Sequence, residues 1–164
     1  MRWKKGRGKL GLFDPLLGIW QAEAKSEMGP FKCKREFKKV LSGKYIQLTT
    51  SWEFADYSYD ELAIIGVDPD KEVCFWSFTS DGKQSSGKLA DVTDLHPEAV
   101  GFEAQMPAGI ARMAYWPDDE KGFYWVVESK TKKGWHRFVD HHYLPLSLTP
   151  PSSSPPAPRS SSNG

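Results

Sequence analysis

Apolar and polar residues alternate with a period of two through most of the chain, from residue 18 to residue 144. The clearest case is residues 31–38, whose two faces read Phe31, Cys33, Arg35, Phe37 and Lys32, Lys34, Glu36, Lys38. Successive side chains of a strand point to opposite sides, so this pattern predicts strands that bury one face only. The fold class is therefore all-β.

Turn-forming residues divide this region into ten short segments, each predicted to be a strand. The segments are 18–26, 31–41, 45–54, 61–67, 72–80, 85–92, 99–106, 109–116, 123–130 and 135–144. No interval holds the ten or more residues that a crossover helix needs, so consecutive strands are expected to pair antiparallel. Ten such strands can close into an up-and-down β-barrel, which leaves no free sheet edge. A short helical turn at residues 15–17 is expected to plug one end.

The two ends of the chain differ from the middle. Residues 1–13 carry a basic cluster formed by Arg2, Lys4, Lys5, Arg7 and Lys9. Residues 145–164 contain six Pro and seven Ser, a composition that cannot bury enough apolar surface to order itself. We predict a basic arm at 1–13, a barrel domain at 14–144 and a tail at 145–164, with both ends disordered.

The distribution of charge, the hydropathy and the cysteine content indicate which partners and which cellular compartment to expect. Of 22 basic and 21 acidic residues, five bases lie in the first ten positions, so the rest of the chain is acidic overall. An acidic body disfavours nucleic acid as a partner. The chain has no run of about 18 apolar residues and no convincing secretory signal, so we expect no membrane span. Cys33 and Cys74 are expected to be reduced thiols in the cytoplasm.

Several short motifs carry a resemblance to a known family. The segment Asp14-Pro15-Leu16-Leu17-Gly18-Ile19-Trp20 resembles the Gly-x-Trp start of lipocalin-like, or calycin, barrels, in which the Trp closes the barrel floor. The other matching segments are Leu41-Ser42-Gly43-Lys44-Tyr45, Glu61, Ile65-Gly66-Val67-Asp68-Pro69, Trp76-Ser77-Phe78 and Ser80-Asp81-Gly82. Together, over about residues 14–144, they resemble an uncharacterised bacterial lipocalin-like domain family. The resemblance implies a calycin barrel with no agreed activity, and an Arg137 that stacks on Trp20.

Two more distant branches of the same superfamily can be tested against the sequence. Fatty-acid-binding barrels have a two-helix lid after the first strand and an Arg-x-Tyr pair on the last. Here the first connection, 26–30, is too short for a lid, and Arg137 is followed by Phe138 and Val139. Nitrobindin-like barrels have a glycine-rich first strand and a haem-ligating His early in the last strand. Here residues 22–24 are not glycines and Phe138 stands near the expected His, so haem would need a shifted His141 or His142.

The histidine-rich last strand also permits a metal site. Asp140 and His142 share a face about 6.6 Å apart along the strand, and His136 has the same parity. The alternative is a polar outer face near the barrel rim. We therefore predict no metal and no cofactor, with His136, Asp140, His141 and His142 as the candidate ligands if haem or a metal binds.

Arginines on apolar faces give the sharpest signal for a ligand. Arg35 shares its parity with Phe37, and Arg112 shares its parity with Ala114 and Trp116, so both are predicted to point inward. A buried guanidinium needs an acid, carbonyl groups, water or an anionic ligand. The predicted ligand-binding residues are Trp20, Arg35, Phe37, Trp52, Trp76, Phe102, Arg112, Trp116, Arg137 and Tyr143. A filled aromatic core with structural arginines is the alternative.

No motif points to catalysis. The sequence has no Gly-x-Ser-x-Gly, no phosphate-binding glycine loop and no His-Glu-x-x-His. We therefore predict a non-enzymatic barrel that binds a small, largely apolar or amphiphilic molecule, which can be anionic, in its interior. The alternatives are a haem- or metal-binding protein and a ligand-free interaction module.

Overall fold

A computed structural model describes residues 3–26 and 29–146 of the 164-residue chain. A 3-10 helix at Lys9–Leu16 precedes ten strands. The strands are β1 Gly18–Ser26, β2 Gly29–Val40, β3 Tyr45–Glu53, β4 Ser58–Val67, β5 Val73–Thr79, β6 Gln84–Ala90, β7 Val100–Met106, β8 Gly109–Pro117, β9 Phe123–Thr131 and β10 Gly134–Pro145. The all-β prediction and the ten predicted strands are confirmed.

Every strand pairs antiparallel with its neighbours in the chain, and β1 pairs with β10 to close the barrel. This confirms the predicted up-and-down β-barrel, an architecture consistent with a calycin-like fold. Among the described residues, the register of the closing seam joins two pairs, Trp20 with Pro145 and Gln21 with Leu144. By contrast, nine residue pairs join β1 to β2.

The N-terminal 3-10 helix fills one end of the barrel, which we call the helix end. Phe13 and Leu16 are fully buried there, and the Phe13 ring stacks on Phe102 with centroids 5.6 Å apart. The indole nitrogen of Trp20 donates a hydrogen bond of 2.7 Å to the carbonyl oxygen of Leu16. Phe37, Ile46, Leu48, Ile65 and Phe123 complete an apolar core at this end. The predicted helical plug is present and is longer than expected.

Trp3 and residues 10–13 pack on the barrel, within the segment that the sequence predicted to be a disordered basic arm, while residues 4–9 are exposed. Trp3 and Leu10 contact the core, and the backbone N–H of Trp3 donates to Glu98 at 2.7 Å. The backbone N–H of Gly6 donates to the carbonyl of Gly11 at 2.8 Å, and a Cβ at Gly11 would collide with that turn. Apolar residues interspersed among the charges supply the burial that the basic composition obscured. Of the predicted disordered ends, residues 1–2 and 147–164 lie outside the described residues.

A second, smaller apolar cluster lies on the outside of the barrel. The connection between β6 and β7 lays Val92 and Ala99 over Ala114 of β8 and Val126 of β9. Strands β8 and β9 therefore bury apolar side chains on both faces. No helix in the described part of the chain is long and apolar enough to cross a membrane.

Candidate functional site

Arg35 of β2 lies inside the barrel and is only 1% exposed. Its Nη1 donates a hydrogen bond of 2.8 Å to the hydroxyl of Tyr115, while its Nε and Nη2 have no hydrogen-bond partner in the described part of the chain. The guanidinium carbon lies 4.1 Å from the ring centroid of Trp125 and 5.1 Å from that of Tyr143. Among the described residues, no carboxylate forms an ion pair with it. Arg35 is thus a buried charge held mainly by aromatic faces.

Two further polar atoms near this position also lack a partner. They are the indole nitrogen of Trp125 and the hydroxyl oxygen of Thr50, both buried. Thr50 of β3 pairs directly with Arg35 across the sheet, and Trp125 stacks on its guanidinium. A buried polar group without a hydrogen bond costs about 1–3 kcal/mol, and more when it is charged. Three donor nitrogens and one hydroxyl therefore lack a partner among the described residues in one part of the interior.

The tyrosine hydroxyls, the thiol and the imidazole around Arg35 are neutral near pH 7. Burial raises the pKa of Tyr115 to about 12, although the Arg35 charge opposes the shift. Burial, reinforced by the Arg35 charge, lowers the pKa of His141 to about 4. Burial also raises the pKa of Cys33 and Tyr143, whose sulfur and hydroxyl are 2.9 Å apart. We call Arg35 with Cys33, Thr50, Tyr115, Trp125, His141 and Tyr143 the polar cluster, in which the positive charge of Arg35 lies among neutral groups.

Glu61 of β4 is the nearest acid in the interior. It pairs with Thr50, which in turn pairs with Arg35, so the three residues form a polar row across β2, β3 and β4. Ser77 of β5 donates a hydrogen bond of 2.5 Å to one oxygen of the Glu61 carboxylate. Glu61 is half-buried, and no described basic group forms an ion pair with it.

The end of the barrel opposite the 3-10 helix, which we call the far end, is more accessible. Several inward-facing side chains there pack against the core and remain half-buried, whereas Phe13, Leu16 and Phe37 at the helix end are buried. These accessible side chains are Trp52, Phe54, Met113, Val127 and Val139. Several inward-facing side chains at the far end are therefore partly exposed, while Arg35, Thr50 and Tyr115 are buried.

Of the predicted ligand-binding residues, six face the interior. Arg35 and Tyr143 belong to the polar cluster, and Trp52 lies toward the far end. Trp20, Phe37 and Phe102 belong to the apolar core at the helix end, where they pack against other side chains. These three fill the barrel floor and lie below the polar cluster.

The other four predicted residues, Trp76, Arg112, Trp116 and Arg137, are on the outer face, which corrects the prediction. On β5 the side chains of Phe75 and Ser77 face the interior, so that of Trp76 between them points outward. On β8 the side chains of Met113 and Tyr115 face the interior, so those of Arg112 and Trp116 point outward. The error on β8 arose because the connection between β6 and β7 covers its outer face and makes that face apolar too.

Arg112 anchors this connection to the barrel wall. Its Nε donates to Glu128 at 2.8 Å, and its two terminal nitrogens donate to the carboxylate of Asp94 at 3.0 and 2.8 Å. Its guanidinium carbon also lies 4.2 Å from the ring centroid of Trp135. The hydrogen bond from Arg112 holds the pKa of Asp94 below its usual value. Arg112 is buried but paired, which is the arrangement of a structural arginine.

Arg137 belongs to the same outer network. It donates to Glu128 at 3.0 Å, and its guanidinium lies 5.6 Å from the ring centroid of Trp116. The stacking on Trp20 that the resemblance implied is absent, because Trp20 packs edge-on against Phe123 instead. A register shift between Arg137 and Val139 turns the first part of β10 away from the interior.

The four candidate haem or metal ligands are separated by the barrel wall. His142 faces outward, where its Nε2 lies 2.8 Å from Asp118 and its ring stacks on Tyr124. Asp140 lies 3.5 Å from Arg137, and His136 is exposed. His141 faces inward, with its Nδ1 3.3 Å from the hydroxyl of Tyr143. Within residues 3–26 and 29–146, no three His, Cys, Asp or Glu side chains are grouped so as to hold a metal ion.

The predicted ligand-binding set lacked five residues of this region: Cys33, Thr50, Tyr115 and Trp125 of the polar cluster, and Glu61 of the polar row. Thr50 could have been found, because it shares the parity of Ile46 and Leu48 on a strand whose inner face is clear. Glu61 and Tyr115 follow only once the register of β4 and β8 is known. No protein-family model matches the chain, and no curated protein matches it significantly.

Proposed function

We propose that this barrel binds a small amphiphilic molecule in its interior, with an anionic or strongly hydrogen-bond-accepting group of the ligand on Arg35. The observation that carries the proposal is the pair of unpartnered nitrogens on a guanidinium that is 1% exposed. The indole nitrogen of Trp125, whose ring lies against this guanidinium, is also buried and has no partner among the described residues. Together these donors suit an oxygen-bearing group such as a carboxylate.

The filled helix end fixes the direction in which such a ligand would lie. Phe37 and Phe102 occupy the floor, so the polar group reaches Arg35 from the far end. The apolar part of the ligand then contacts the half-buried side chains of Trp52, Met113 and Val127. The barrel acts as a binding protein in this proposal, without catalysis. The calycin-like architecture and the lipocalin-like motifs support it, and two free cysteines favour a cytoplasmic setting.

Isothermal titration calorimetry with octanoate and 3-phenylpropionate tests this function. We expect the native protein to bind at least one of these acids, and Arg35→Met to weaken that binding by about tenfold or more. Arg137→Met is the matched control, because it removes an arginine from the outer face and is expected to leave binding unchanged. Equal binding by the native protein and Arg35→Met would refute the proposal, as would no binding at all, which would favour the ligand-free interaction module.

Haem is a second candidate, and the position of His141 favours it. His141 is the inward-facing histidine of β10, it is 8% exposed, and its low pKa leaves it neutral, as an axial ligand requires. The rings of Phe31 and Trp125 lie 5.3 and 5.2 Å from it. A Soret band after haem addition that is lost in His141→Ala but kept in His142→Ala would support this candidate. Absence of the band in the native protein would remove it.

A further inference from the structure

We infer that the ligand is dipolar: it places a cationic or hydrogen-bond-donating group on Glu61 while its anionic or accepting group contacts Arg35. This inference rests on the proposed function and specifies the chemical class of its ligand. A small amino carboxylate with an apolar or aromatic side chain has this chemistry.

The first support is the placement of two opposite charges that do not meet. Arg35 and Glu61 face the same interior from strands two apart, with only Thr50 between them. Adjacent strands are about 4.8 Å apart, so the two backbones are separated by about 10 Å. Neither side chain forms an ion pair with a described residue, although the two charges attract across the gap. A group that bridges them would satisfy both.

The second support is the set of hydrogen-bonding atoms around the gap. The two unpartnered nitrogens of Arg35 and the indole N–H of Trp125 can only donate, so they require an acceptor. The carboxylate of Glu61 can only accept, and Ser77 supplies a donor to one of its oxygens. The unpartnered hydroxyl of Thr50 lies between them and can do either. A ligand that satisfies these groups therefore carries a hydrogen-bond acceptor near Arg35 and a hydrogen-bond donor near Glu61.

The third support is the electrostatic cost of a purely anionic ligand. A lone carboxylate on Arg35 would also face the negative charge of Glu61 in a medium where charges interact more strongly than in water. An ammonium group near Glu61 converts that repulsion into attraction. The wall opposite the polar row carries Met113, Val127 and Val139, which suit an apolar body rather than a third charge.

Calorimetry with three matched probes tests the inference: L-phenylalanine, 3-phenylpropionate and 2-phenylethylamine. The first carries both charges, and each of the others lacks one. We expect the native protein to bind phenylalanine about tenfold more tightly than it binds either of the other two probes. Glu61→Gln, which keeps an acceptor for Ser77, is expected to abolish this preference and to tighten the binding of phenylpropionate. Asp60→Asn, an exposed neighbour on the same strand, is the control and should change neither.

The outcomes separate the two proposals. If phenylpropionate binds the native protein as tightly as phenylalanine and Glu61→Gln changes nothing, the dipolar ligand is refuted while the role of Arg35 stands. If none of the three probes binds and octanoate does not bind either, both proposals are refuted; if octanoate alone binds, only the dipolar ligand is refuted. Circular dichroism of Glu61→Gln checks that any loss of binding occurs in a folded barrel.

Discussion

Arg35 and Arg112 are both buried, yet their surroundings differ in kind. Arg112, on the outer wall, is paired with Glu128 and Asp94 and stacks on Trp135. Arg35, in the interior, has one hydroxyl partner, three aromatic neighbours and two unpartnered nitrogens. The barrel therefore pairs Arg112 with its own carboxylates, whereas it supplies no carboxylate from the described residues to Arg35. An incomplete buried charge is weak support for stability, and this is why we assign Arg35 to a ligand.

The largest expected effect follows from removing Arg112. Arg112→Met leaves the buried carboxylate of Glu128 with Arg137 as its remaining ion-pair partner, so we expect a loss of about 3 kcal/mol in the free energy of unfolding. Urea denaturation of Arg112→Met and of the native protein measures this loss. Arg137→Met is the comparison, because that side chain is more exposed and should cost less. An equal or smaller loss for Arg112→Met would contradict the structural role.

The next effect is a pH dependence that arises beside Arg35. In the folded barrel the pKa of His141 is about 4, below its ordinary value of 6.5. The unfolded chain binds a proton first as the pH falls, so stability is lost between about pH 6.5 and pH 4. The loss should approach about 3 kcal/mol. His141→Phe cannot titrate and should show a shallower pH dependence over this range; parallel profiles would contradict the assignment.

Tyr115→Phe should have a smaller effect. It removes the one hydroxyl that accepts a hydrogen bond from Arg35, which leaves a third guanidinium nitrogen unpartnered. Hydrogen bonds to charged groups contribute about 1.5–3 kcal/mol, so we expect a loss of about 2 kcal/mol in urea denaturation. Tyr124→Phe, on the outer face, is the control and should stay within about 0.5 kcal/mol of the native protein. Equal losses in both variants would show that Tyr115 stabilises the barrel by packing alone.

The smallest expected effect is the most informative for the comparison. Arg35→Met removes an incompletely satisfied buried charge and keeps apolar volume, so the ligand-free protein should change by less than about 1 kcal/mol or gain stability. Thermal and urea denaturation without ligand measure this. A loss as large as that of Arg112→Met would mean that the two arginines have the same role.

The sequence was a good guide to the fold because turns and alternation are local properties. On β2 and β3 the inner and outer faces differ sharply in polarity, and Arg35 and Thr50 lie where their parity places them. On β8 the alternation can be assigned to either face, because Val92 and Ala99 cover the outer side of Ala114. That cover depends on the path of a connection, which the period of the strand does not encode.

The candidate site was less predictable for a related reason. Glu61 stands opposite Thr50 only in the register of β3 with β4, and register depends on pairing between strands. The register shift after Arg137 on β10 likewise has no signature in the alternation. In the N-terminal arm, five basic residues dominate the composition and suggest disorder, although Trp3 and Leu10 contact the core.

The short seam between β1 and β10 has a consequence for how the chain assembles. Nine of the ten strand pairings join neighbours in sequence, and such hairpins form quickly because little chain must be ordered to bring them together. The tenth pairing must bring Trp20 to Pro145, far apart in sequence, and joins two residue pairs among the described residues. Ring closure is therefore expected to be the last event of folding. The same seam is where hydrogen exchange should first show the barrel opening.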